Sequence, residues 1–161
     1  MSDEPALCPS APATPGALLI GVVEETRRVA NLATPIPVDE GFVEAARAHG
    51  SPERRFRFSI PCVEGSCGHW TGSACGLIGI SRGQAVAAGL VAPVSAHVSA
   101  GCTDKLPPCG IRPRCRWWRQ DGAAACKVCA FVVYEPGTPR SVDGQRASDP
   151  GSSSGPGSPS G

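Results

Sequence analysis

A chain of 161 residues has room for one domain with tails, or for one domain and a fragment. Nine cysteines stand beside 20 Gly and 17 Pro, and only 5% of residues are aromatic, so little apolar surface can be buried and the cysteines are the obvious staples. The net charge of +1 excludes a long-range field that would steer nucleic acid or an anionic membrane to the protein, and no stretch nears the roughly 18 apolar residues that cross a bilayer.

Residues 1–16 are mostly Pro, Ala and Ser without helical or strand period, and are expected to be a disordered tail in which Cys8 is incidental. Asp3 and Glu4 stand where a secretory signal carries positive charge, and no apolar run follows directly. A reducing cytoplasmic location is therefore expected, where dense cysteines more often hold metal than form disulfides. Export without a leader, with disulfides as the frame, is the alternative. Residues 17–135 form the expected cysteine-rich metal-binding domain. Leu18–Ala30 fits either a strand or one helical face. Asn31–Val38, with Pro35 and Pro37, is expected to be a loop. Asp39 then caps a short helix to about His49, which Gly50 stops. Arg55–Ile60 alternates, with Phe56, Phe58 and Ile60 on one side and Arg55, Arg57 and Ser59 on the other, as a half-buried strand does. It runs directly into Cys62. Gln84–Val91 is a further helical segment, Val94–Leu106 is weakly patterned, Arg114–Cys129 is a second good helical candidate, and Phe131–Tyr134 reads as a short final strand. Residues 136–161 lack aromatics and are mostly Gly, Ser and Pro, a composition that cannot offset the entropy of ordering. The fold class expected is a small, irregular, metal-stapled α+β domain with one or two helices and disordered tails.

The remaining eight cysteines lie in the expected domain: Cys62, Cys67, Cys75, Cys102, Cys109, Cys115, Cys126 and Cys129. Only Cys126-x2-Cys129 has the tight spacing common in zinc and iron–sulfur sites. At i and i+3 on a helix these two stand about 5–6 Å apart on one face. On an unbroken helix Cys115 would lie about 16.5 Å away along the axis. A zinc ion holds each thiolate at about 2.3 Å, so no single site spans that distance. Asp121-Gly122 is a turn signal, and a break there lets Cys109, Cys115, Cys126 and Cys129 close on one centre. A second set is Cys62, Cys67 and Cys75, with Cys102 or His69 as the fourth ligand. His49 and His97 have no cysteine close in sequence and are expected to be structural or exposed. Long unequal spacings, soft ligands and few His favour an iron–sulfur cluster, with zinc as the alternative. Trp70, Trp117 and Trp118 lie near cysteines and could shield a cluster from water.

Residues 111–120 pack four Arg and two Trp. Arg114, Arg116, Trp117, Trp118 and Arg119 are candidate partner-binding residues, because Trp and Arg are enriched in protein hot spots. Single-stranded nucleic acid could use the same run through phosphate contacts and base stacking, without support from net charge. The bland reading has the rings covering the metal and the Arg side chains solvated or paired. The chain has no phosphate-binding Gly loop, GxSxG, HExxH or CxxxCxxC, and no catalytic residue is assigned. The function expected is an iron–sulfur protein carrying electrons or sensing redox state for a partner protein. The alternative is a zinc-bound adaptor whose Trp/Arg surface binds a partner or nucleic acid.

Overall fold

The computed structural model describes residues 4–90 and 106–134. The alternating residues of β4 (Phe56–Pro61) lie near the middle of a four-stranded antiparallel sheet with β1 (Leu7–Ala11), β2 (Leu18–Val23) and β3 (Val29–Pro37), in the order β1-β4-β2-β3. The fold is a small mixed α+β architecture. Helix α1 (Glu40–Arg47) begins as expected at Asp39, whose side chain accepts the Phe42 N–H at 2.8 Å. Val43 of α1 packs with Leu19, Phe58 and Val38 on one face of the sheet.

The other face is covered by α2 (Gly76–Ala87), α3 (Arg116–Asp121) and α4 (Ala123–Cys129), with Leu7, Ile20, Ile78, Trp117 and Val128 in that core. Both faces of β4 are therefore covered, although its alternation alone reads as half-buried. Arg57 and Ser59 are 5% and 1% exposed. Among the described residues no helix is long and apolar enough to cross a membrane.

Four sequence expectations are corrected. Strand β1 lies inside the stretch read as a disordered tail; edge pairing with β4 orders it, and a register shift between Cys8 and Ala11 accommodates Pro9, which has no N–H to give a ladder. Residues 31–38 largely continue β3 rather than looping. The two prolines are tolerated because β3 is an edge strand with a register shift: Gly21 pairs with Asn31 but Leu19 with Ile36, so the intervening residues bow out of the ladder. Helix α2 starts eight residues before the expected Gln84. Its glycines at 76, 79 and 83 disguise it, each costing about 1 kcal/mol relative to Ala, and burial of Ile78 and Ala85 in the core shared with α4 overrides them. Residues 131–134 form no strand; Phe131 N–H turns back to Val128 O at 3.0 Å. The stretch from Val94 to residue 105, with His97 and Cys102, lies outside the described residues.

Candidate metal centre

The chain breaks at the Asp121-Gly122 step. Gly122 takes φ +56° and ψ −137°, which separates α3 from α4. Cys126 and Cys129 then occupy successive turns of α4, while Cys115 sits at the N-terminal boundary of α3. Cys115 also bridges Leu7 of β1 in parallel, which closes part of that strand's free edge.

Cys109 is placed by its neighbour. Gly110 N–H donates to Leu32 O at 2.9 Å, and a Cβ at Gly110 would stand 2.5 Å from Ala33 O and collide with the Pro35 ring. The loop thus docks against the bowed part of β3, which only a glycine allows. Cys109, Cys115, Cys126 and Cys129 all line one narrow cleft, open in part to solvent, with Ile20, Ile111, Ala125 and Trp118 among its walls. None of the eight described cysteines is joined to another. Among the described residues no three His, Cys, Asp or Glu side chains close to the spacing that one metal ion needs. The four thiols border a shared space rather than a point.

Burial raises the Cys115 thiol to about 12, against the N–H groups of Trp118 and Trp117 and with the Cys129 and Cys109 sulfurs adding to the rise. Burial also raises Cys109 and Cys126; the Cys129 sulfur adds to both, while Arg112 opposes both. Taking up a metal would therefore release protons.

The residue that sequence reading missed is Arg57. It projects from β4 beneath α4. Its guanidinium donates to Cys129 O at 2.8 Å, Cys129 Sγ at 3.0 Å and Val132 O at 2.6 Å, and lies 5.5 Å from the centre of the Trp117 ring. No carboxylate is among these partners. A buried cation is costly unless its donors are met, and here two backbone carbonyls and the Cys129 sulfur meet them. Alternation puts Arg57 on the polar side of its strand, opposite Phe56 and Phe58, so nothing local marks it as buried.

The upstream cysteines occupy the loop between β4 and α2. Cys62 N–H donates to Ala6 O at 2.7 Å and extends the β1–β4 ladder past Pro61. A turn at Glu64–Ser66 reverses the chain, and Cys67 N–H bonds Glu64 O at 2.8 Å. The Cys67 sulfur accepts the His69 N–H at 3.4 Å, and Trp70 pairs with Cys75 in an isolated bridge. Cys75 stands at the N-cap of α2. Gln120 of α3 clamps Cys75, accepting its N–H at 2.9 Å and donating to its carbonyl at 3.2 Å. Cys8, set aside as incidental, is a strand residue opposite Ile60.

The basic aromatic run is engaged within the protein. Trp117 is 1% exposed and belongs to the core, which removes it from any partner surface. Its Nε1–H reaches Cys75 Sγ at 3.4 Å. Arg116 pairs with Glu64 and lies 5.1 Å from the centre of the Trp70 ring. Arg114 pairs with Glu4 at 3.3 Å, and Arg119 donates to Pro113 O and Glu4 O. Trp118 stays half-buried beside Arg112, at the edge of the cleft. No protein-family model, curated protein or solved structure matches this chain.

Proposed function

We propose that this protein is an iron–sulfur protein that carries electrons or senses redox state for a partner protein, with Cys109, Cys115, Cys126 and Cys129 holding its cluster. One observation carries the reading: four thiols from a loop, a helix start and a second helix border one cleft, and a buried arginine donates to one of the sulfurs. A four-iron cluster takes each thiolate on a separate iron, so its four ligands stand farther apart than the four around one zinc ion. When bound, such a cluster supplies one-electron exchange. The protein's own residues do the rest. Ile20, Ile111 and Ala125 keep water from the cleft wall, and Arg57 and Arg112 offset thiolate charge. Trp118 stands at the rim, where a partner could dock.

Anaerobic purification with iron, sulfide and zinc analysis tests the reading. The expected protein is brown, bleaches on reduction, and loses iron from the C-terminal centre in Cys126→Ala. A colourless protein with stoichiometric zinc would establish the adaptor reading instead. Full iron in Cys126→Ala would refute the ligand set.

A further inference from the structure

We infer that Cys8, Cys62, Cys67 and Cys75 form a second four-thiolate site, which takes an iron–sulfur cluster of its own, with Cys8 as the fourth ligand in place of Cys102 or His69. The sheet register carries this. Cys8 pairs with Ile60, and Cys62 lies two residues beyond Ile60 with its N–H on Ala6 O. Cys8 and Cys62 are thus diagonal neighbours across two adjacent strands, a separation of about 7–8 Å between Cα atoms. The loop that follows folds back on itself. Glu64 takes a positive φ of 43°, a costly conformation for a residue with a side chain, and its ion pair to Arg116 holds it there. The Trp70 N–H turns back to Cys67 O at 2.9 Å and Trp70 pairs with Cys75, so Cys67 and Cys75 flank one turn at the end of the loop. The Cys67 N–H bonds Glu64 O at 2.8 Å and the Gly76 N–H bonds His69 O at 2.7 Å, so the Cys67 turn lies between the end of the β1–β4 ladder at Cys62 and the start of α2 at Cys75.

Two features suit thiolates there. Cys75 stands at the N-terminus of the twelve-residue helix α2. The Trp117 and His69 N–H groups reach the Cys75 and Cys67 sulfurs, both at 3.4 Å. The site also adjoins the first one. Leu7, next to Cys8, bridges Cys115, and the Trp117 indole contacts Cys75 on one side and Arg57, the donor to Cys129, on the other. The two centres would flank a single indole.

This inference takes only the chemistry of the cluster from the proposed function; the ligand set is independent. The test uses the full chain, reconstituted anaerobically with ferrous iron and sulfide. Wild type is expected to hold roughly eight iron and eight sulfide, two four-iron clusters. Cys8→Ala and Cys67→Ala each lose half, Cys126→Ala loses the other half, and Cys102→Ala and His69→Ala lose none. After dithionite reduction, wild type gives an electron paramagnetic resonance spectrum broadened by two interacting spins, and Cys8→Ala gives the simple spectrum of one cluster. If Cys8→Ala disrupts the strand, Cys67→Ala, in the loop, still reports the site, and Cys102→Ala still reports the fourth ligand. Full iron in Cys8→Ala, or loss of iron in Cys102→Ala, overturns the inference. A wild type with one cluster that Cys126→Ala abolishes overturns it while leaving the proposed function intact. One zinc in place of the second cluster overturns the cluster assignment, and a chain that takes no iron overturns both readings.

Discussion

If the C-terminal cysteines hold the proposed cluster, replacing Arg57 by Gln should lower its reduction potential by on the order of 100 mV. The guanidinium nitrogen is 3.0 Å from the Cys129 sulfur. Its charge then sits roughly 5–7 Å from charge spread over a cluster, and at an effective dielectric near 20 that interaction is worth about 3 kcal/mol per electron. At roughly 59 mV per tenfold for one electron, the conversion gives on the order of 100 mV. The sign follows from charge: reduction adds an electron, the buried cation stabilises the more negative form, and its removal makes reduction harder. Arg57→Lys keeps the charge but loses the planar fork that reaches Cys129 O and Val132 O together. Its potential should stay within about 30 mV of wild type, although its urea midpoint falls as hydrogen bonds worth about 1–3 kcal/mol each are lost. The assay is a mediated anaerobic redox titration followed by visible absorbance, with iron content measured on the same samples. A shift below about 20 mV in Arg57→Gln with iron retained, or a shift to higher potential, would refute the reasoning from a buried countercharge.

Gly110→Ala should drive a methyl group into Ala33 O and the Pro35 ring, costing about 1–3 kcal/mol in urea unfolding and depleting iron from the proposed C-terminal centre only. Glu53 is 6% exposed and accepts the Ala13 N–H at 2.8 Å and the Ser51 hydroxyl at 2.6 Å. Burial pushes its carboxyl up, but these bonds, its own N–H and Arg47 outweigh that and hold it below the ordinary 4.5. Wild type therefore keeps this stabilisation above about pH 4.5 and loses it as pH falls through the folded-state value. Glu53→Gln should be about 1–3 kcal/mol less stable than wild type at pH 7, and the gap should narrow below that pH in thermal unfolding. A gap that widens on acidification would contradict the sign. Trp117→Ala should cost about 3–5 kcal/mol because the ring is core. Trp118→Ala should leave iron content unchanged while weakening co-purification of a partner, and unaltered capture would remove Trp118 from the partner surface.

Much was legible in the residues themselves because its cause is local. Asp39 and Gly50 bound α1 through capping and a left-handed turn, and the alternation of Phe56, Phe58 and Ile60 assigns β4 its strand and its faces. The D-G step at 121–122 ends one helix before the next begins, and that break lets Cys115 and Cys126 face one cleft. Other features depend on partners far along the chain. Nothing local orders residues 7–11; only the edge of β4 does, and with it Cys8 becomes a strand residue beside Cys62. The prolines after Asn31 signal a loop, and only the sheet shows them as a bow in an edge strand that receives Gly110. Four arginines and two tryptophans in a row look like an exposed surface until the core claims Trp117 and the acids Glu4 and Glu64 take Arg114 and Arg116. Sequence alone determined the supply of thiols and the short-range turns that space them, because backbone preference acts over a few residues. Tertiary structure decided which thiols share a space and which cation faces them, because those pairings join segments that meet only when the sheet closes.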